Sequence, residues 1–123
     1  MSSPLGPTNQ TGSPSGTVPT VAPAVGAGTT ATATVAAGSL DQRGAVSIAS
    51  AGTGQAAGVL AVVTFAKGLA TQYVPQVMIT ELTGASSALN PYVTAVTPQG
   101  FSIASNSAPT AAVTYQFGYV VIP

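Results

Sequence analysis

The sequence has no cysteine, no histidine and no tryptophan, and only four charged side chains among its 123 residues: Asp41, Arg43, Lys67 and Glu81. Each absence removes a class of chemistry. Without Cys or His there is no thiol nucleophile, no thiolate or imidazole metal site and no His-based triad. Two carboxylates cannot build a hard-cation cage. Two cations cannot neutralise a run of phosphates, so no nucleic-acid partner is expected. The chain is read as a non-enzyme that carries no cofactor and no metal.

Charge is scarce in a second sense. Charged residues make up 3% of the chain, against about 25% in soluble domains. A formal net charge of zero favours association over an isolated existence in solution. Such a surface suits a protein that works docked in an assembly. The lack of cysteine fits the cytosol and a virus particle equally.

Long apolar runs are missing too. The longest, Ala56 to Ala66, is broken by Gly58 and Thr64 and stopped by Lys67. It reaches about half the ~20 residues a membrane-spanning helix needs, so no membrane partner is expected. The N-terminus holds no Lys or Arg, and Pro4 and Pro7 interrupt any apolar stretch there; no secretory signal is expected. Asn9-Gln10-Thr11 is then a chance sequon.

Prolines are unevenly placed. Residues 1–30 hold half of the ten (Pro4, Pro7, Pro14, Pro19 and Pro23) and no charge. Proline at this density forbids a helix and favours extended backbone. Isolated apolar residues cannot offset the ordering entropy of such a strip. Residues 1–30 are therefore expected to form an extended arm held by neighbouring chains, with Leu5, Pro7, Val18, Pro19, Val21 and Val25 as its contact residues. A chain lacking residues 2–30 is expected still to fold.

From about Ala31 the pattern has period two, predicting a single β-domain over 31–123. Val46 and Ile48 alternate with Ser47 and Ala49; Val59, Ala61, Val63 and Phe65 share one parity, opposite Leu60, Val62 and Thr64. Val77, Ile79 and Glu81 stand opposite Met78, Thr80 and Leu82, and Tyr92, Thr94 and Val96 opposite Val93, Ala95 and Thr97. The chain closes with Val113, Tyr115, Phe117, Tyr119 and Val121 on one parity. Val, Thr, Ile, Tyr and Phe fit a pleated, half-buried surface. Turn sequences at Ala51–Gly54, Thr83–Ser86 and Pro98–Gly100 punctuate the runs. About six to eight short strands so spaced predict an all-β fold, a small antiparallel sandwich or jelly-roll-like barrel.

Three constellations invite a functional reading. Gly52-x-Gly54-x-x-Ala57 matches a dinucleotide-binding fingerprint, but a strand follows where that motif needs a helix, so a glycine turn is the better reading. Asp41 and Glu81 could in principle act as an acid/base pair. Asp41-Gln42-Arg43-Gly44 reads instead as a loop with a local ion pair, and Glu81 as a solvent-facing strand residue or a partner of Lys67. Tyr115, Phe117 and Tyr119 could stack sugars or bases, but one-sided alternation is equally what an aromatic core or a subunit interface needs.

An ordered series of structural positions carries a family resemblance. It runs Gly44-x-Val46-x-Ile48, Gly58, Val63-Thr64-Phe65, Pro75-x-Val77-x-Ile79-Thr80, Tyr92-Val93 and Val96-Thr97. It ends Gly100-Phe101-x-Ile103 and Thr114-Tyr115-x-Phe117-x-Tyr119-x-Val121-Ile122. Over roughly residues 38–122 this resembles a small β-sandwich module of tailed-bacteriophage virion proteins, found in capsid decoration (cement) proteins, head fibres and fibre tips. The resemblance implies no catalytic residues. It implies a structural role on the outer surface of the capsid, bound to the major capsid protein, often as a homotrimer. A receptor-binding fibre tip is the alternative. The Met1 start, with only an extended arm ahead of the sandwich, favours decoration.

Overall fold

The computed structural model describes residues 17–67 and 74–122. They form eight antiparallel strands in two four-stranded sheets, as the period-two pattern predicts. The strands are β1 (Thr20–Pro23), β2 (Thr32–Val35), β3 (Arg43–Ala49), β4 (Gly58–Thr64), β5 (Gln76–Glu81), β6 (Pro91–Thr97), β7 (Gly100–Ser105) and β8 (Thr114–Ile122). One sheet has the order β1-β4-β7-β6 and the other β2-β3-β8-β5. The pairs β3–β8 and β4–β7 are nested in sequence, one in each sheet.

The core lies between the sheets and follows the predicted parity most faithfully in β8. Tyr115, Phe117, Tyr119 and Val121 are buried while Thr114, Gln116, Val120 and Ile122 are exposed. β3 contributes Val46 and Ile48, and β7 contributes Phe101 and Ile103. Phe101 bridges two other aromatics, with ring centroids 6.1 Å from Phe65 and 5.6 Å from Tyr119, both tilted. Such tilted contacts add to simple area burial. The three aromatics of β8 are therefore core residues, and no stacking platform is available on that strand.

Two bulges overturn the simple alternation. In β4 the register with β7 shifts between Val59 and Ala61, so Leu60 and Ala61 are both buried. Val59, expected to share a face with Ala61, is instead on the exposed side with Val62. In β6 the register shifts between Thr94 and Thr97, and Ala95 takes a positive φ of 52°. Val93 and Val96, three apart, both pack on the core while Tyr92 is exposed. A bulge adds one residue to one strand and so changes parity beyond it.

Turn sequences behave as predicted with one exception. Pro98 and Gln99 join β6 to β7, and Gly100 is required there: a Cβ would sit 2.0 Å from the Val63 carbonyl oxygen of the neighbouring strand. Thr83-Gly84-Ala85-Ser86 is not a bare turn. Thr83 caps a short helix, α1 (Gly84–Ala88), by accepting the Ser86 N–H at 3.1 Å. The Ser86 hydroxyl then bonds both backbone groups of Gln116 in β8, each at 2.9 Å. This satisfies polar groups at an interruption of the β5–β8 ladder.

The boundary at residue 30 does not match the packing. β1 lies within the predicted arm and pairs with β4 from Thr20↔Thr64 to Pro23↔Ala61. Beyond it the chain turns once through a 3-10 segment, Val25–Ala27, whose Ala27 is wholly buried. The Ser50 hydroxyl donates to the Ala27 carbonyl at 2.8 Å, in a buried site. This stretch is held by the chain's own β-domain, because the edge of β4 offers it backbone partners that composition alone does not reveal.

Candidate functional site

The predicted contact residues divide into three groups. Leu5 and Pro7 lie outside the described residues. Pro19 is buried, and Val21 is half-buried in β1 against the core; both serve the fold. Val18 and Val25 remain as surface residues, Val25 being 87% exposed on the 3-10 turn.

Of the two carboxylates, one is committed to structure. Asp41 is buried, and its two carboxylate oxygens accept the backbone N–H groups of Ala66 (2.9 Å) and Lys67 (3.0 Å). These amides, and not the guanidinium of Arg43, are its partners, which corrects the expected local ion pair. Around it the loop 39–43 is tied on every side. Asp41 N–H donates to the Thr17 carbonyl (3.2 Å), Val121 N–H donates to Gln42 (2.8 Å), and the Tyr119 hydroxyl donates to Leu40 (2.5 Å). Gly44 keeps the loop close, since a Cβ there would lie 2.4 Å from the Ser39 side chain and 2.8 Å from the Tyr119 hydroxyl. Charge-assisted bonds to backbone amides are stronger than neutral ones, so Asp41 clasps the N-terminal segment to the residues that follow β4, while its neighbours Leu40 and Gln42 hold β8. Glu81 is exposed at the end of β5. The two carboxylates thus sit in unlike settings, one wholly occupied by backbone.

Burial pushes the Tyr119 hydroxyl up to about 12 from an ordinary 10.0, with the Asp41 charge adding to the rise and the Ser39 hydroxyl opposing it. The protonated phenol is favoured in the folded state, so its contribution is complete below pH 10 and is lost as pH rises towards 12. Tyr119→Phe is expected to flatten this alkaline loss in melting temperature. At neutral pH it should cost about 1 kcal/mol for the Leu40 hydrogen bond. Thermal melts of both proteins from pH 7 to pH 12 check this; parallel profiles would contradict it.

Gly52, Gly54 and the residues after them form a loop that leads into β4, with no helix at that point. Among the described residues no group of three or more Asp, Glu, His or Cys could hold a metal ion, and no helix is long and apolar enough to cross a membrane.

What stands out is apolar surface. Val18, Val25, Val59, Val62, Val74, Met78, Leu82, Tyr92, Val120 and Ile122 are exposed. Alternation does not single out most of them, because it marks the core parity. The signal was present in β8, where Val120, Val121 and Ile122 are apolar on both parities. Met78 of β5 lies directly opposite Val120, and Gln76 opposite Ile122, so one end of the β2-β3-β8-β5 sheet carries an apolar strip on its outer face. Arg43, exposed, flanks the strip opposite Val120 on β3. Comparison with family models, with curated proteins and with solved structures returns no match to this chain.

Proposed function

We propose that the chain is a structural virion protein, a capsid decoration (cement) protein. It docks on the outer surface of the shell built by a major capsid protein and reinforces the contacts between shell subunits. The role is non-catalytic. The observation that supports this reading best is the exposure of Val, Met, Leu, Ile and Tyr side chains on a sandwich that has almost no charge to offer a partner. Apolar contacts and main-chain hydrogen bonds are what remain for attachment. The ordered resemblance over residues 38–122 supplies the kind of assembly.

Copy number tests the role. Quantitative mass spectrometry of purified particles of the encoding virus should find this chain in amounts comparable with the major capsid protein, as a shell lattice requires. A handful of copies per particle would identify a fibre tip, and absence from particles would refute the reading.

A further inference from the structure

Among the described residues four strands lie at sheet edges, and three of them carry a device against pairing with another chain. β1 and β2 are only four residues long, and β1 ends in Pro23. β6 begins with Pro91 and is kinked by the bulge at Ala95. β5 has six residues in unbroken register with β8 and contains no proline, glycine, Lys or Arg. Natural sheets blunt their edges with such devices, and β5 lacks them. Its outward edge, unpaired among the described residues, is also identifiable. Leu82 N–H donates to Gln116 of β8 at 3.0 Å, so by alternation the even-numbered residues bond β8 while Val77, Ile79 and Glu81 turn their N–H and C=O groups outward.

Apart from Pro75 and Glu81, the side chains of this edge are alike in kind when read from either end. From Val74 to Leu82 the series runs Val-Pro-Gln-Val-Met-Ile-Thr-Glu-Leu, with Met78 at its centre. Val74 matches Leu82, Gln76 matches Thr80 and Val77 matches Ile79. Val74, Met78 and Leu82 are all at least half exposed. A two-fold interface requires this kind of self-complementarity.

We propose that β5 pairs antiparallel with β5 of a second copy, about a two-fold axis through Met78, joining two four-stranded sheets into one of eight. In that register Val77 and Ile79 exchange backbone hydrogen bonds with Ile79 and Val77 of the other copy. The ladder ends at these two pairs, because Pro75, which falls opposite Glu81, is buried within its own chain and has no N–H to donate. Val74 faces Leu82, and the strips formed by Met78 and Val120 meet across the axis. The single charge on β5, Glu81, lies opposite Pro75, leaving the two carboxylates about 20 Å apart at ~3.4 Å per residue. The pairing stands independently of the capsid role and differs from the three-fold association implied by the family resemblance.

The absence of native cysteine makes the test direct. At the axis, the two copies of residue 78 form a non-hydrogen-bonded pair with Cα atoms about 4.5 Å apart, within reach of a disulfide. The two copies of residue 80 are about 14 Å apart, beyond disulfide reach. Full-length chain should sediment at twice its 11.9 kDa mass. Met78→Cys should cross-link nearly completely under mild oxidation, and Thr80→Cys should not. Met78→Lys, which leaves the strand's own packing intact, should raise the dissociation constant about tenfold by setting like charges face to face. A monomeric or three-fold mass for the unaltered chain, or equal cross-linking at 78 and 80, would overturn the proposal.

Discussion

A chain lacking residues 2–30 will lose its cooperative thermal transition, whereas one lacking only residues 2–16 will keep it. The shorter deletion leaves every contact among the described residues in place. The longer one removes β1, the buried Gly26 and Ala27 and the Thr17 carbonyl that receives Asp41 N–H. It uncovers Leu60, Ala61 and Val63 on β4, all fully buried in the intact sandwich. It also leaves the Ser50 hydroxyl without the Ala27 carbonyl, a loss worth about 1–3 kcal/mol for a buried group. Together with the lost apolar cover, the cost is on the order of 5 kcal/mol, comparable with the ~5–15 kcal/mol that holds a small domain folded. Circular dichroism melts of the three chains decide it. Equal melting after both deletions would show that β1 adds nothing to stability.

Phe117→Ala is expected to cost about 3–5 kcal/mol, the range for emptying a buried aromatic site. Phe117 is fully buried at the centre of β8, opposite Val46 on β3 and Glu81 on β5. The core around it is built mainly of Val, Ile, Leu and aromatic side chains already packed against one another, so the hole would close only in part. The urea midpoint should fall sharply with an unchanged slope. Val120→Ala on the same strand removes an exposed side chain and should change stability by no more than about 0.5 kcal/mol. Similar losses at both positions would contradict the assignment of the aromatic row to the core.

The fold is legible in the sequence where one physical signal dominates. Large β-branched and aromatic residues at every second position of β8 and β3 leave no second way to bury them, so strand class and inward face follow directly. The inward face is not legible at β4 and β6 because a bulge is one residue inserted without a composition mark; Leu60 and Ala95 carry no turn chemistry that announces them. Nor is the strand legible at β1, because Thr20-Val21-Ala22-Pro23 holds too little apolar surface to be a strand by itself, and is one through pairing with β4. Asp41 escaped for a related reason. Its partners, the amides of Ala66 and Lys67, are 25 and 26 residues away, while the nearby Arg43 offered a more obvious but unused charge. The apolar strip at Met78, Val120 and Ile122 was visible as residues but not as a surface, because the β5–β8 register had to be known first.

Docking on a capsid shell, as proposed above, would rest on apolar contacts and main-chain hydrogen bonds and not on charge. Rebinding of purified protein to particles stripped of it, measured as occupancy at about 50 mM and at about 1 M salt, tests that claim most directly, since the screening length falls severalfold across that range. Occupancy should be the same or slightly higher at high salt, as expected for apolar burial and main-chain hydrogen bonding. Occupancy that collapses at high salt would contradict the account and place the binding in the few charges the surface carries.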